Sequence, residues 1–405
     1  VFQITPPGAS PSPHLWAYMA PVAPDAPVPL ASHSHMTEAF AHPLAHTGVG
    51  KLTVTVVRSL ESIGREAWNA LWRNSDTPTV FSCYEWMDAW WRSCHEDRDL
   101  RIYAAWLEDR LVGLLPTAWP SEARIGVEPV VILGDEHADY AAILVDRALP
   151  QAIGVLLDAA CRDLPSCGRL LLRDLRDDSA CAAQLEIRAR GRLDKWCLAD
   201  VIPCPRASLD TGRAFELAGK ESLRRHARKL ARAGEVAVHH YRDAPSILPR
   251  LDAFFAQHVA RWAESEWPSL FNKETNRAVY RALAETLGGT GRLVYTEVTL
   301  DGRPVACHFG FLSENDLVWY KPSFDPALAK MSPGEVLIQS LLLWAGDQRL
   351  AGLDFTRGGE AFKRRFADEE RQALTYAYFA SRTTALLHRL KMLIRHLRMR
   401  LGPGR

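Results

Sequence analysis

The sequence predicts an α/β protein with mixed (α+β), mostly antiparallel sheets flanked by helices and arranged in two similar halves. From Lys51 onward, segments with strand periodicity alternate with segments of helical periodicity. Two strand–turn–strand segments, AAWLEDRLVGLLP (104–116) and TEVTLDGRPVACHFG (296–310), place the turn at the same point, which indicates an internal duplication. Two unrelated α/β units are the alternative.

Composition places the chain among folded, water-soluble proteins. Of its 405 residues 47% are apolar and 24% are charged, and the length allows two or three domains. The formal net charge of +1 gives no global argument for nucleic acid. The eight cysteines form no C-x-x-C pair and predict reduced thiols, and there is no run of about 18 apolar residues for a membrane span. We expect a cytoplasmic protein, with peripheral contact at the inner membrane face as an option.

Residues 1–50 differ from the rest of the chain. They are rich in proline, contain several histidines and lack the basic-then-apolar order of a signal peptide. We expect a disordered tail, with metal binding by the histidines as the alternative, and Met36 is a possible start of the native protein. The predicted organisation is therefore this tail, a first α/β domain at 51–205, a second at 206–382 and a C-terminal helix at 383–405.

The first half reads as alternating strands and helices. Its predicted strands are LTVTVV (52–57), a strand pair across 100–119 that turns near Asp109, PVVIL (129–133), YAAILV (140–145), RLLLRDL (169–175) and KWCLADV (195–201). Its predicted helices cover 61–73, 84–94, 149–163 and 179–190.

The second half follows the same plan. Predicted strands are EVAVHHYR (235–242), a three-stranded meander across 292–324 with an Asp301-Gly302 hairpin turn, LDFT (353–356) and LTYAYFA (374–380). Predicted helices cover 245–265, 274–287, 334–347 and 360–366.

One helix start in the second half suggests an anion site. Ser332 is a natural N-cap, Pro333 suits the first helical position, and Gly334 lets a ligand approach closely. The start of a helix presents unpaired N–H groups and the positive end of the helix dipole, so a phosphate can bind there. Simple capping is the alternative for this sequence.

Four segments of residues 217–380 resemble the CelD-type acetyltransferases, a family of the GNAT superfamily associated with bacterial cellulose and exopolysaccharide formation. They are FFAQHVARW, LDGRPVACHFGF, YKPSFDPALAKMSPGEVLIQ and LDFTRGGEAFKRRFAD. The paired halves are similar to Fem-type peptidyl transferases, which are tandem GNAT folds.

The resemblance implies tandem GNAT-like domains, acetyl-CoA or another acyl-CoA as co-substrate, and no metal. It places Ser332, Pro333, Gly334 and Glu335 where GNAT enzymes hold the CoA pyrophosphate, although the usual pattern has two glycines and this chain has one. Tyr320 is a candidate to protonate the departing thiolate. The first half has no glycine-bearing helix start after its meander, so we expect it to be non-catalytic.

The segment LDFTRGGEAFKRRFAD (353–368) carries the leading catalytic candidates. A buried strand ends at Asp354, and Glu360 opens the short helix with Lys363 one turn later. Transfer to an amine needs a base for the ammonium and stabilisation of the oxyanion. Asp354 or Glu360 is the predicted base and Lys363 the predicted oxyanion partner. The alternative is a capping or structural carboxylate paired with Arg357 or Lys363.

Two histidines compete for the role of base. His308 lies in a strand, on the face of the small residues Ala306 and Gly310, and His258 lies on a helix with Arg261 and Trp262. A hydrogen-bonded core histidine is the alternative at both positions.

Two basic segments suggest partners. Residues 220–232 form a helix with six Lys and Arg residues, ended by Gly234, which is either a solvated face or a grip for tRNA or an anionic glycan. Residues 384–400 form a basic amphipathic helix that suits an anionic membrane, a protein partner or its own domain.

These features predict an acyl-CoA-dependent N- or O-acyltransferase, most simply an acetyltransferase, that acts on a polysaccharide precursor or an amino-sugar-type acceptor. The first alternative is a Fem-type transferase that uses aminoacyl-tRNA as its donor. The second is a non-catalytic scaffold in exopolysaccharide assembly.

Overall fold

The structure is a computed structural model that describes residues 52–190, 195–210, 212–266 and 268–401. The N-terminal tail predicted for residues 1–50 lies outside the described residues, as do residues 402–405 at the end of the predicted C-terminal helix.

The first half contains seven strands and four helices among the described residues. In chain order they are β1 (Leu52–Val57), α1 (Arg65–Asn74), α2 (Tyr84–Cys94), β2 (Arg98–Leu107), β3 (Arg110–Pro120), β4 (Val130–Ile132), β5 (Leu144–Val145), α3 (Ala152–Asp163), β6 (Arg169–Arg176), α4 (Ala180–Ala189) and β7 (Trp196–Ser208).

The second half repeats this order after two extra helices. Its elements are α5 (Arg213–Ala218), α6 (Glu221–Ala231), β8 (Val236–Tyr241), α7 (Ala244–Ile247), α8 (Leu251–Trp262), α9 (Glu274–Leu287), β9 (Leu293–Leu300), β10 (Arg303–Ser313), β11 (Asp316–Phe324), α10 (Pro333–Asp347), β12 (Gly352–Asp354), α11 (Ala361–Arg364), β13 (Glu369–Phe379) and α12 (Arg382–Leu401).

The strands form one continuous mixed sheet. Its order is β1-β2-β3-β4-β6-β13-β7-β12-β11-β10-β9-β8, and β5 pairs with β3. Each half holds one parallel pair, β4 with β6 and β11 with β12, while the other pairs of named strands are antiparallel. The same position of the parallel pair in both halves agrees with the predicted duplication.

The last strand of each half lies in the sheet of the other half. The second half's β13 pairs with β6 of the first half, and the first half's β7 pairs with β12 of the second half along residues 206–208. β7 and β13 also pair with each other over ten residue positions. The predicted boundary between residues 205 and 206 therefore falls inside β7, and the halves are joined by exchanged strands.

One apolar core continues from half to half. Trp86 of α2 packs edge-on against Phe311 of β10 at 5.5 Å, and Phe81 lies 5.6 Å from Tyr320 of β11. Aromatic contacts of this kind stabilise a core beyond the burial of their area. The backbone N–H of Val80 also donates to the Ser313 hydroxyl at 3.0 Å. The relative position of the halves is thus fixed by buried contacts as well as by strands.

Several predicted helix boundaries differ from the structure, and two of these differences have a clear physical reason. The helix predicted at 245–265 is α7, a 3₁₀ turn at Leu248–Arg250 and α8, because Pro249 has no N–H and its ring disfavours a continuous α-helix. α6 ends at Ala231, before Gly234. Gly234 serves a close approach instead, since a Cβ there would lie 2.3 Å from the Asp301 carboxylate, which accepts from the Glu235 N–H at 2.8 Å.

Candidate active site

The two parallel strands of the second half diverge at Asp354. β11 and β12 pair at only three positions, the last being Val318 with Asp354. Beyond it the chain turns through Thr356, which has a positive φ of 54°. β11 also shifts register against β10 between Phe309 and Phe311, and such irregularities often occur beside active sites. The carboxyl ends of the two strands therefore open away from each other, as in the ligand clefts of α/β folds.

Asp354 lies at this divergence, and only 4% of its surface is exposed. Its carboxylate accepts hydrogen bonds from the Tyr140 hydroxyl at 3.0 and 3.2 Å, the Thr356 N–H at 2.7 Å and Arg371 at 3.4 Å. Burial raises the pKa of Asp354, and the Thr356 N–H and the Arg371 charge oppose that rise. A carboxyl group with a raised pKa is suited to accept a proton near neutral pH.

An ion-pair layer supports Asp354 from the exchanged strands. Arg206 of β7 binds Asp316 of β11 with two hydrogen bonds of 2.6 and 2.7 Å, and it binds Glu369 of β13 at 2.8 Å. Arg371 lies 3.8 Å from Asp316 as well as 3.4 Å from Asp354. Bidentate pairs of this kind fix geometry, so the strand exchange sets the position of the Arg371 guanidinium.

A second carboxylate, Asp139, also comes from the first half. It accepts from the Thr356 hydroxyl at 2.7 Å and lies 3.9 Å from the Lys321 ammonium. The Lys321 ammonium lies 3.9 Å from the centre of the Tyr320 ring. Burial lowers the pKa of Lys321, and the Asp139 charge opposes that decrease. Asp139 and Lys321 thus place an opposite-charge pair beside Asp354.

Glu360 and Lys363 belong to a separate, structural contact. The Lys363 ammonium lies 2.9 Å from the Glu360 carboxylate and donates to the Arg357 carbonyl at 2.5 Å. Arg357 in turn binds Asp174 of the first half at 2.8 Å. Lys363 is buried and committed to this loop, so the predicted oxyanion role does not fit its position. The predicted alternative, a Glu360 carboxylate paired with Lys363, describes what the structure shows.

The two candidate histidines also have structural partners. His308 accepts from the Tyr320 N–H at 3.2 Å and stacks on Trp319, and its ring fills the space beside Gly310, where a Cβ would lie 2.0 Å away. His258 is hydrogen-bonded to the Ser269 hydroxyl at 2.8 Å. Burial lowers the pKa of each histidine to about 3. Both are neutral at pH 7, and the core-histidine alternative fits both.

The hydroxyl of Tyr320 is similarly engaged. It donates to the His137 carbonyl at 2.5 Å and accepts from the Tyr280 hydroxyl at 3.0 Å. Burial raises its pKa well above the ordinary tyrosine value. Protonation of a departing thiolate by Tyr320 would require these contacts to open.

The start of α10 leaves space for a ligand. Ser332 has a positive φ of 57° and makes no side-chain capping hydrogen bond, and Pro333 occupies the first turn. A Cβ on Gly334 would meet only Phe324, at 3.6 Å, so packing does not require glycine there. Glu335 binds Arg365 at 2.5 Å, which neutralises its charge near the helix start.

The basic helix α6 lies next to this helix start. Its Lys229 ammonium donates to the Lys330 carbonyl at 2.6 Å, and Lys220 donates to the Arg365 carbonyl at 2.6 Å. Two lysines at the ends of α6 therefore lie close to the beginning of α10, where the helix dipole also favours an anion. Across the described part of the chain, no cluster of His, Cys, Asp and Glu side chains is arranged to hold a metal ion.

Sequence reasoning missed the contributions of Tyr140, Asp139, Thr356, Arg371 and Lys321. Tyr140 and Asp354 are 214 positions apart, and no spacing rule joins them. The available signal is a polar Asp139–Tyr140 pair directly before an apolar strand segment. The first half, which we expected to be non-catalytic, contributes side chains that contact Asp354 and Thr356. The expectation that its helix after the meander starts without a glycine is wrong, because Gly154 lies in the first turn of α3.

Comparisons with known proteins identify a domain family for the second half and the fold of most of the chain. Residues 218–364 match the Acetyltransferase (GNAT) domain family. The search of curated proteins finds no match. Among solved structures, FemX is similar with a TM-score of 0.55 and 9% identity, over 80% of this chain and 98% of that one.

Two further solved structures have the same overall arrangement. L-PGS from Bacillus licheniformis gives a TM-score of 0.52 at 14% identity, over 80% of this chain and 96% of that one. A protein of unknown function from Bacteroides thetaiotaomicron gives a TM-score of 0.53 at 13% identity, over 80% of this chain and 100% of that one. At these identities the likeness establishes the fold alone.

The fold and the family match together define the class of protein. Two strands diverge beside a helix start with room for a phosphate, inside a segment that matches a GNAT acetyltransferase domain. Residues 218–364 therefore form an acyltransferase domain of the GNAT type, and both halves of the chain contribute strands to one mixed sheet flanked by helices.

Proposed function

We propose that the protein transfers an acyl group, most simply acetyl, from acyl-CoA to an amine or hydroxyl of a polysaccharide precursor or amino-sugar-type acceptor. The divergence of β11 and β12 at the buried carboxylate of Asp354 carries this proposal. The resemblance to CelD-type acetyltransferases supports a glycan acceptor and a role in cellulose or exopolysaccharide formation.

The residues at the start of α10 fit the donor's pyrophosphate. Ser332 leaves its side chain uncommitted to capping, and a Cβ on Gly334 would meet only Phe324, at 3.6 Å. Lys229 and Lys220 of α6 place positive charge nearby through their contacts with Lys330 and Arg365. Acyl-CoA supplies an activated thioester, and the protein supplies binding, orientation and proton transfer.

Asp354 is the proposed general base. The raised pKa of its carboxyl group suits the removal of a proton from an acceptor ammonium or hydroxyl. Tyr140 and Arg371 hold the carboxylate in place, and Arg206 holds Arg371 through Asp316. The backbone N–H groups beside the divergence are the proposed oxyanion donors.

Two cations, Arg261 and Lys321, lie near the end of β11. Arg261 of α8 donates to the Pro322 carbonyl at 3.2 Å and lies over the Phe324 ring at 4.4 Å. Among the described residues, no carboxylate lies within ion-pair distance of Arg261, and Lys321 on the adjoining strand faces only Asp139 at 3.9 Å. A half-buried cation without a carboxylate partner favours an anionic acceptor. We therefore propose an acceptor that carries a phosphate or carboxylate group.

Calorimetric titration of the full chain with CoA and acetyl-CoA tests the donor site. The unaltered protein should bind both, and Gly334→Asp should abolish binding because it adds a negative charge where the pyrophosphate lies. Gly154→Asp is the matched control, since Gly154 occupies the first turn of α3, the corresponding helix of the first half. The control should bind like the unaltered protein. No binding to the unaltered protein would remove acyl-CoA as the donor.

Two features favour an aminoacyl-tRNA donor as a second candidate. The α10 start has one glycine where the usual GNAT pattern has two, and α6 exposes basic side chains next to it. This candidate predicts that reversing the charges of Arg224, Arg225 and Arg228 causes a large, salt-dependent loss of tRNA binding. The leading proposal, in which acyl-CoA is the donor, predicts that the unaltered protein does not bind tRNA specifically.

A further inference from the structure

The C-terminal helix α12 rests on the sheet by one side. Ala385 is buried, and the His388 ring lies 5.0 Å from the Phe379 ring of β13 in a tilted arrangement. Arg389 donates to the Trp196 carbonyl of β7 at 2.6 Å. These contacts fix the orientation of the first turns of the helix, so the opposite side must face outward.

That outward side is apolar. The exposed fractions are 57% for Leu386, 54% for Leu387, 51% for Leu390 and 41% for Ile394. At about 100° per residue these four side chains fall within an arc of about 100°. Four of the eleven large apolar residues exposed in the described part of the chain lie on this one helix. They form a contiguous ridge, which on a protein surface indicates an interaction site.

The charge on α12 has one sign. Residues 382–401 contain six Lys and Arg residues and no Asp or Glu, whereas the whole chain carries a net charge of only +1. Arg382 and Lys391 are exposed on either side of the apolar ridge. An apolar ridge flanked by cations is complementary to an anionic lipid surface, where apolar side chains enter the acyl boundary and cations meet headgroups.

A second copy of the chain fits this surface poorly. Pairing two such helices would bring two sets of six cations together without a carboxylate on either helix to compensate. No helix among the described residues is both long enough and apolar enough to span a bilayer, so any membrane contact of α12 would be with the surface.

We infer that α12 docks the protein on the surface of an anionic phospholipid membrane through Leu386, Leu387, Leu390 and Ile394. The helix lies in the plane of the interface with its apolar ridge among the upper acyl chains. Arg382 and Lys391 contact the phosphates of the headgroups. This inference does not depend on the identity of the donor or the acceptor.

Vesicle co-sedimentation of the full chain tests the inference. Vesicles of phosphatidylcholine mixed with phosphatidylglycerol should bind the unaltered protein at least about tenfold more tightly than phosphatidylcholine alone. High salt should weaken this binding. Equal binding to both compositions, or no binding to the mixed vesicles, would overturn the inference without the use of any variant.

Variants then locate the contact. Replacing the four ridge residues with Gln should lower binding to mixed vesicles about tenfold or more. The charge reversals Arg382→Glu and Lys391→Glu should also weaken it. A matched control replaces Leu343 and Ile187, exposed apolar residues on other helices, with Gln. Circular dichroism checks that each variant is folded. Membrane binding that survives the ridge substitutions in a folded variant, or a dimer in analytical ultracentrifugation that those substitutions abolish, would refute the docking role.

Discussion

The Tyr140 hydroxyl donates to the carboxylate of Asp354, 3.0 Å from one oxygen and 3.2 Å from the other. The two residues are 214 positions apart and come from different halves of the chain. A hydrogen bond to the ionised carboxylate favours that form and keeps its pKa from rising further. The first half, which we expected to be non-catalytic, thus helps to set the protonation state of the proposed base.

Replacing Tyr140 with Phe should therefore raise the pKa of Asp354. Because the base must be ionised to accept a proton, the acidic limb of the kcat/KM profile should move to higher pH. Acyl transfer measured across a pH series checks this shift. The control is Tyr103→Phe, which removes a buried tyrosine hydroxyl that donates to Asp163 at 2.9 Å in the first half. An acidic limb that stays in place in Tyr140→Phe would argue against Asp354 as the base.

Asp354→Asn and Glu360→Gln separate the two predicted carboxylates. Asn keeps an acceptor for Tyr140 but is not a base, so we expect a loss of about 100-fold or more in kcat. Glu360→Gln should cost about tenfold or less, since Glu360 pairs with Lys363 in a loop contact. Steady-state rates of the two folded variants show which of the two carboxylates is the base. The opposite ranking would make Glu360 the base, and an unaltered chain without transfer activity would favour the scaffold alternative.

The pair formed by Asp174 and Arg357 should make stability depend on pH. Burial raises the pKa of Asp174 to about 7, against the opposing charge of Arg357. The folded state then holds a proton on Asp174 that the unfolded chain releases near pH 4. The stabilisation that comes from holding this proton is present at low pH and is lost as the pH rises through 7. Asp174→Asn removes this pH-dependent stabilisation, and Asn tolerates the positive φ of 55° at this position.

Thermal unfolding at pH 5 and pH 8 measures this effect. The Tm of Asp174→Asn relative to the unaltered protein should be higher at pH 8 than at pH 5. Asp158→Asn, at an exposed carboxylate that pairs with Arg188 at 2.7 Å, serves as the control and should show no such difference. If the Tm of Asp174→Asn relative to the unaltered protein is instead lower at pH 8 than at pH 5, the assignment is contradicted.

Two glycines near the site should respond in opposite ways to alanine. A Cβ on Gly352 would lie 2.3 Å from Arg206 and 2.5 Å from Asp316, so Gly352→Ala should lower the free energy of unfolding by about 1–3 kcal/mol. Gly334→Ala meets only Phe324 at 3.6 Å and should leave that free energy unchanged or raise it by up to about 1 kcal/mol. Urea denaturation measures the free energy of unfolding of both variants and of the unaltered protein. A destabilised Gly334→Ala would mean that packing, and not a ligand, requires the glycine.

The exchanged strands predict how the chain behaves when it is divided. A chain stopped after Asp368 lacks β13, which leaves β6 and β7 without a shared partner strand. We expect it to be insoluble, because unpaired strand edges in the middle of a sheet promote aggregation. Residues 51–205 and 206–405 should also fail to fold when expressed alone and should associate when co-expressed. Soluble, cooperatively unfolding separate halves would show that the exchange is not needed.

Local patterns were sufficient to predict most elements of the fold. Alternation and turn chemistry placed the β9–β10 hairpin, whose turn residues Asp301 and Gly302 both have positive φ. The buried strand ending at Asp354 was also predicted, and all three of its residues are buried. The break at Pro249 was missed because apolar periodicity continued through it, whereas backbone geometry does not allow an unbroken helix there.

The site was less predictable than the elements that hold it. Asp354 and the α10 start could be proposed from the sequence because their signals are local. The side chains that bind Asp354 lie on β13 and in the first half, and strand pairing over long sequence separations brings them to it. Such pairing is set by register and burial across the whole sheet, and a single sequence gives no direct measure of either.

The strand exchange also bears on how this gene can change. In an ordinary duplication, a copy that has lost its ligand site can shrink or disappear with little cost to the other copy. Here each copy's sheet includes the final strand of the other, and Arg206 and Glu369 on those strands support the proposed base. Deletion of either copy would remove a strand from its neighbour. Neither half can therefore be lost without breaking the sheet that holds the candidate site.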